Sequence, residues 1–274
     1  MGSGGNKYCD EFLKWALPRM DLSWRGYRKV RGQVCKRIKK RLYELNLVSL
    51  DRYREYLESS PSEWQVLDRL ARITISRFFR DKKLWDELAD RHLPLMAKEA
   101  FLQIRPLRCW SAGCASGEEP YSLAVLWRHK ILPLYPDLKL ELIATDADPY
   151  MIKRAREANY SSGSLKEVPS GWLGRAFYRG NSHYRLKEEY IEMVKFFEQD
   201  IREQMPGGEF DLIFCKNLVA MYFKKELAVS VFKNISRRLK KGGLLILGNH
   251  EELPLDEIKD IEELNRGLNL YIKR

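Results

Sequence analysis

The stretch Trp110–Ala124, WSAGCASGEEPYSLA, places two glycines four positions apart with small residues between them, then a pair of carboxylates ahead of an apolar run. A loop that cradles phosphate keeps acids away, because the bare N–H groups of a helix N-terminus serve an anion. Paired acids at a glycine turn suit a ligand with a cationic end, an ammonium or a sulfonium. The spacing AGCASG departs from the G-x-G-x-x-G of pyrophosphate-binding turns and so argues against a dinucleotide. Asp146 stands thirty-three residues after Gly113, at the end of the apolar run LELIATD, where an acid can accept hydrogen bonds from ribose hydroxyls. A ribose, an amino group and a sulfonium without phosphate describe S-adenosylmethionine.

These residues need elements that hold them. From Arg108 onward the runs RCWSAGC, LELIATD, VKFFEQD, FDLIFCKN, GLLILGN and LNLYIKR alternate with helical segments, about Glu119–Ile131 and Pro149–Ala158 among them. That alternation predicts a mostly parallel sheet covered on both faces. Ligands of such sheets lie beyond the carboxyl ends of the strands, where Gly113, Gly117 and Asp146 fall. The polar segment Trp172–Tyr190 interrupts the alternation and reads as an insertion on the ligand side. The first ninety or so residues read as helices. Tyr27, Val30, Val34, Ile38, Leu42 and Leu45 form one apolar stripe, with Arg28, Lys29, Lys36, Lys39 and Lys40 opposite. Further helices are expected in SLDRYREYLES, capped by Ser49 or Asp51, in SEWQVLDRLARI, and in DKKLWDELADRHLP, stopped at Pro94. The expected organisation is an all-α domain over residues 7–94, a linker over 95–107 and a cofactor-binding α/β domain over 108–274, with the insertion near 172–190.

The 274 residues are 45% hydrophobic and 32% charged, the balance of a globular chain with a sizeable core. The opening Met1–Gly5 reads as an added leader and is set aside. No run approaches the ~18 apolar residues needed to span a bilayer, so a cytoplasmic protein without membrane insertion is expected. Five cysteines without a C-x-x-C pair read as reduced, buried thiols, and four scattered histidines give no metal-ligand spacing, so no metal is expected. The net charge is +11, and nine Lys or Arg residues fall between Arg25 and Arg41 with no acid among them. An acidic partner competes there with a merely solvated face. Nucleic acid ranks lower, because no RNA-binding motif accompanies the patch.

Several segments together resemble one family. RCWSAGCASGEEPYSLAVL, IATDADPYMIKRAREANY, FDLIFCKNLVAMYF and LKKGGLLILGNHE are similar, in order, to successive motifs of the chemotaxis-receptor protein-glutamate methyltransferases, the CheR family. ITISRFFRD resembles that family's catalytic segment and WRGYRKVRGQVCKRIKKRLYELNL its basic helix, so the likeness runs from about Leu22 to the end. It implies a class I S-adenosylmethionine-dependent methyltransferase fold, Rossmann-like, with a seven-stranded mostly parallel sheet and a small all-α N-terminal domain. The implied reaction methylates glutamate carboxylates of a receptor and leaves S-adenosylhomocysteine. By resemblance, Gly113 and Glu119 match the methionine end of the cofactor, Asp146 the ribose, and Asp200 with Ile201 the adenine. Thr74 and Ser76 match residues reaching the cofactor from the helical part, and Asn217 the cofactor-binding asparagine that ends the fourth strand. Arg80 matches the residue that holds the substrate carboxylate, and Tyr222 the active-site tyrosine. The basic helix, residues 25–41, would face the acidic methylation region of a helical receptor.

The chain also departs from the family. Thr74 and Asp200 stand where asparagine is usual, Lys216 replaces a common arginine, and GNHEE replaces GHSE. Asn217 to Tyr222 spans five steps where the family's NVxIY spans four, so the extra residue either bulges or moves Tyr222. Two alternatives to glutamate methylation follow: a methyltransferase of the same fold acting on RNA or a small carboxylic acid, and a catalytically silent module that binds the cofactor and a partner. A glutamate acceptor, with a pKa of ~4.3, is already ionised at neutral pH and needs no general base.

Overall fold

The computed structural model describes residues 4–274; Met1–Ser3, part of the Met1–Gly5 stretch set aside above, lie outside the described residues, and Gly4 and Gly5 begin the first helix. The helices are, in chain order, α1 (Gly4–Ala16), α2 (Trp24–Tyr27), α3 (Arg31–Glu44), α4 (Leu50–Ser59), α5 (Pro61–Ala71), α6 (Lys82–Glu87) and α7 (Leu93–Leu102). They continue as α8 (Glu118–Leu126), α9 (Pro149–Glu157), α10 (Ser170–Ala176), α11 (Glu188–Ile191), α12 (Val219–Tyr222) and α13 (Lys225–Arg238). The strands are β1 (Leu107–Ala112), β2 (Leu140–Asp146), β3 (Asn159–Tyr160), β4 (Phe177–Arg179) and β5 (Tyr184–Leu186). After them come β6 (Val194–Glu198), β7 (Phe210–Cys215), β8 (Leu239–Leu247), β9 (Ile261–Asn265) and β10 (Leu270–Lys273). Two compact units share the chain: residues up to Ile73 with Val219–Ala228, and Thr74–Leu218 with Val229–Arg274.

The first unit is helical. Phe12, Leu13, Leu17, Tyr53, Leu57 and Leu67 are buried, and the stripe read from the sequence is buried at Tyr27, Val34 and Ile38. Arg28, Lys29, Lys36, Lys39 and Lys40 face solvent. Ser49 caps α4, its hydroxyl accepting from Arg52 N at 3.2 Å. Three helices meet at one polar cluster: Arg41 of α3 donates to Glu63 of α5 from Nε at 2.9 Å and Nη2 at 2.8 Å, and Tyr53 of α4 donates to the same carboxylate at 2.8 Å. Helix α12 packs on α2 at Gly26, where a Cβ would lie 2.1 Å from the Met221 carbonyl oxygen. The expectation that all five cysteines are free thiols is corrected here. Cys9 and Cys35 form a disulfide between α1 and α3, with Cα atoms 6.1 Å apart; two such cysteines meet only because these helices pack, which a separation of 26 residues does not reveal. Cys109, Cys114 and Cys215 are buried thiols.

The second unit is built on a seven-stranded sheet in the order β6-β2-β1-β7-β8-β10-β9. Every pairing from β6 to β8 is parallel, and β10 inserts antiparallel between β8 and β9. Chain order reverses at β1, which pairs with β2 on one side and β7 on the other. The crevice beyond Ala112 and Cys215 is therefore the place for a ligand. All six residues of β7 are buried, as a strand covered on both faces requires. The insertion supplies β4 and β5, which join β3 ahead of it in a second, antiparallel sheet in the order β3-β5-β4.

Pro94 does not stop its helix. The segment runs from α6 through a π-helical turn, Leu88–His92, into α7. The wider turn changes the hydrogen-bond register just before Pro94, which then sits in the first turn of α7, where a missing N–H costs least. Leu84, Trp85, Leu88, Leu93, Ala97 and Ala100 of this helix belong to the buried core of the sheet unit. That packing explains why the units divide at Ile73/Thr74, earlier than the linker expected at 95–107. Among the described residues, no helix is long and apolar enough to cross a membrane.

Candidate active site

The glycine turn after β1 is fixed from beneath by β2. Gly113 and Cys114 donate their N–H groups to the Thr145 carbonyl at 2.8 and 2.9 Å. Ala115 donates to Asp146 Oδ2 at 2.8 Å, and Asp146 Oδ1 accepts from Asp148 N at 2.9 Å. Gly113 has φ +73°, and a Cβ there would stand 2.7 Å from the Leu218 side chain; a left-handed backbone and a close neighbour both call for glycine. The two acids of GEEP part ways. Glu118 turns inward, 2% exposed, accepting from Ser116 Oγ at 3.0 and 2.9 Å and from Ser76 as well. Glu119 borders the crevice, accepts from Ser111 Oγ at 2.7 Å, and lies 3.9 Å from Lys216 Nζ. Burial pushes both carboxyl groups above the usual carboxylate range, with Lys216 opposing the shift at Glu119. The pair therefore supplies one carboxylate to the site, not two.

Across the crevice the ends of β7 and β8 meet the segment Phe79–Asp81. Lys216, its side chain 5% exposed, reaches Asp81 Oδ2 at 2.9 Å and the Arg80 carbonyl at 3.4 Å. Asn217 has a left-handed backbone, φ +53°. Glu251, which is buried, holds it there by accepting from Asn217 N at 2.5 Å, Leu218 N at 3.1 Å and Gly248 N at 2.7 Å. Gly248 is needed for this approach, since a Cβ would sit 2.7 Å from Asn217 Cγ. The Arg80 guanidinium forms no ion pair or hydrogen bond with the described residues. Asp81, next to Arg80 in the chain, is taken by Lys216 and by Asn249 Nδ2 at 2.8 Å.

Asp200 carries a charge where an asparagine was expected, and Arg202 neutralises it, with Nε at 2.9 Å and Nη2 at 2.6 Å. Ile201 beside it is buried. Thr74 is half-buried at the start of the sheet unit, and Ser76 is engaged with Glu118. Thr74, Ser76, Arg80, Gly113, Glu119, Asp146, Asp200, Ile201 and Asn217 thus all belong to the sheet unit, whereas Tyr222 belongs to the helical one. There its ring meets Tyr27 edge-on at 5.1 Å, and its carbonyl accepts from Ser23 N at 2.7 Å. The extra residue before Tyr222 is taken up by the helical turn α12, closed by Phe223 N to Val219 O at 3.1 Å, and not by a strand bulge.

The family described as "CheR methyltransferase, SAM binding domain" matches residues 74–267. The chain belongs to the CheR methyltransferase family. Among its relatives are the chemotaxis protein methyltransferase 2 of Pseudomonas aeruginosa, 31% identical over 80% of this chain and 77% of that one, and the chemotaxis protein methyltransferase of Escherichia coli, 30% identical over 81% and 76%. That of Listeria innocua is 28% identical over 81% of both chains. This CheR chain is an S-adenosylmethionine-dependent methyltransferase, and its residues fit that cofactor. Glu119 is a buried carboxylate whose ionisation burial disfavours and a cationic group would favour, beside a Gly113 turn that only a glycine can make. Lys216, Asn249 and Glu251 line the same edge of the sheet through their contacts with Asp81 and Asn217, contacts that sequence reasoning did not place. Their only trace was the departure of Lys216 and GNHEE from the family pattern.

Proposed function

We propose that this methyltransferase esterifies glutamate carboxylates of an acidic, helical protein, the cytoplasmic region of a chemoreceptor. The observation that carries the reading is Arg80, whose guanidinium forms no ion pair or hydrogen bond with the described residues while its charge acts on Glu119 and its carbonyl meets Lys216. S-adenosylmethionine supplies a methyl group made electrophilic by its sulfonium. Glu119 would hold its amino group, Asp146 its ribose, and Asp200–Ile201 its adenine, with Thr74, Ser76, Gly113 and Asn217 completing the cofactor site. The acceptor arrives ionised, so no residue has to remove a proton. What the protein supplies is orientation: a planar guanidinium engages both oxygens of a carboxylate at once, which a lysine cannot. Tyr222 is the second residue assigned to the reaction, on the strength of its motif. The relatives' names and the exposed cations of residues 25–41 support an acidic receptor as partner.

The test is turnover of methyl-labelled cofactor with the cytoplasmic helical fragment of a chemoreceptor. Label released as methanol by mild base identifies a carboxyl ester; stable label on RNA, or no transfer, overturns the reading. Arg80→Lys should keep cofactor affinity and lower turnover, and Arg80→Ala should lower it further, by ~10²-fold or more. Wild-type turnover in Arg80→Ala would assign Arg80 no part in the chemistry.

A further inference from the structure

We propose that Asp81 is a positioning residue for Arg80: its carboxylate, clamped from the ends of two strands, fixes the strained turn that aims the guanidinium. The inference rests on the reading of Arg80 as the residue that orients the acceptor. Three observations carry it.

The first is backbone strain on both sides of Arg80. Phe79 has φ +51° and Asp81 φ +69°, left-handed values in residues that are not glycine. For a bulky aromatic this is a rare conformation, and such pairs persist only where the surroundings hold them. Phe79 is held by its N–H donating to Ser122 Oγ at 2.9 Å and by its ring against Trp85 and Trp172, 5.4 and 5.8 Å between centroids. The Arg80 carbonyl is held by Trp85 Nε1 at 2.9 Å and by Lys216 Nζ at 3.4 Å.

The second is what the Asp81 carboxylate does not do. Asp81 occupies the N-cap of α6, where an aspartate ordinarily accepts from the first turn, yet its side chain makes no capping hydrogen bond. The third is where that carboxylate goes. Oδ2 meets Lys216 Nζ at 2.9 Å, at the end of β7, and Oδ1 accepts from Asn249 Nδ2 at 2.8 Å, after β8. Each oxygen is thus tied to a different strand end, and Lys216 grips the Arg80 carbonyl as well as the acid. An acid serving only to neutralise a buried lysine would need neither Asn249 nor the left-handed turn. The geometry sets the direction of Arg80 from the rigid carboxyl edge of the sheet.

The experiment is a double-mutant cycle read by labelled methyl transfer to the receptor fragment, with cofactor Kd from calorimetry and Tm recorded for every variant. Asp81→Asn keeps tolerance of the left-handed backbone but loses the charge facing Lys216. Asp81→Gly relieves the strained φ and removes the clamp, so it guards against a variant that merely fails to fold. Both should lower kcat by roughly tenfold or more and leave cofactor Kd within about threefold, with Tm lowered in both because Lys216 loses its partner, and lowered less in Asp81→Gly, which relieves the strained φ. Asn249→Ala, which opens half the clamp, should lower kcat in the same sense by less. In an Arg80→Ala background the Asp81 substitutions should cause no further loss, because the residue they aim is gone. Losses that multiply in that background, a kcat equal to wild type, or a parallel loss of cofactor affinity would each overturn the proposal. Full turnover in Arg80→Ala alone would instead remove the reading of Arg80 on which the proposal depends, a failure distinct from an intact Arg80 effect with a silent Asp81.

Discussion

Asp146 is proposed to serve two ends with one carboxylate. Its oxygens already accept the N–H groups of Ala115 and Asp148, so it shapes the glycine turn before any ligand arrives. Carboxylates have about four acceptor positions, which is why the same side chain can also meet ribose hydroxyls. Asp146→Ala should weaken S-adenosylmethionine by ~1.5–3 kcal/mol, measured by calorimetry. Asp146→Asn, which keeps one acceptor oxygen, should fall between; equal affinity in all three proteins would take Asp146 out of the cofactor site. Glu119 makes a pH-dependent claim. Burial raises its carboxyl above the usual carboxylate range, so it takes up a proton at higher pH than an exposed glutamate would. A protonated carboxyl no longer attracts an ammonium. Cofactor affinity should therefore hold at neutral pH and weaken on acidification before ordinary carboxylates titrate. Glu119→Gln should weaken binding at neutral pH by roughly tenfold and flatten that dependence. A wild-type curve that bends only near pH ~4 would show that Glu119 does not face the amino group.

At the scale of elements, the cluster of Arg41, Tyr53 and Glu63 ties α3, α4 and α5 together around one buried carboxylate. The Arg41 guanidinium, helped by the Tyr53 hydroxyl, holds the Glu63 carboxyl below its usual range against the opposing effect of burial. A depressed folded-state pKa gives stability that is present above the unfolded value and lost as pH falls through the folded one. Glu63→Gln should cost about 3 kcal/mol in urea unfolding at neutral pH, the lower end of the range for a broken buried pair, because Arg41 can turn partly to solvent. The gap between variant and wild type should close as pH is lowered past the carboxylate range. A gap independent of pH would trace the effect to packing and not to the ion pair. The same helices present the charge that remains after internal pairing. Arg31 is paired with Asp10 at 2.9 Å, Arg37 donates to the carbonyls of Leu70 and Arg72, and Arg41 serves Glu63. Lys36, Lys39 and Lys40 share the exposed side of α3.

For the molecule as a whole, a net charge of +11 is an association property more than a folding one. If the exposed side of α3 receives an acidic receptor, raising salt from about 0.05 to 0.5 M should raise the KM for the receptor fragment and leave cofactor Kd nearly unchanged, since exposed charges lose their reach as the Debye length shortens. Replacing Lys36, Lys39 and Lys40 together by Glu should raise KM by about tenfold or more with little change in kcat. A KM indifferent to both would leave this side a solvated face.

The alternation of apolar runs with helical segments after Arg108, and the acid at the end of LELIATD, were enough to read a parallel sheet and its ligand edge, because burial on both faces leaves a continuous apolar signature. The glycine at position 113 was legible for the same kind of reason, since its backbone conformation and a neighbour's closeness both exclude a side chain. The stop at Pro94 was misread, because a π-helical turn absorbs the missing hydrogen bond and periodicity over so short a span does not register it. Strand β9 went unread, since IEELN carries only two apolar residues and owes its place to pairing with β10. Pairings between distant segments lay wholly beyond the sequence: Cys9 with Cys35, Asp81 gripped by Lys216 and Asn249, Glu251 closing on Asn217. Residue types and local spacing determined the fold class and the cofactor. Which of two adjacent glutamates faces the crevice, and that Arg80 makes no ion pair with the described residues, depended on tertiary packing, because a side chain's direction is set by what encloses it.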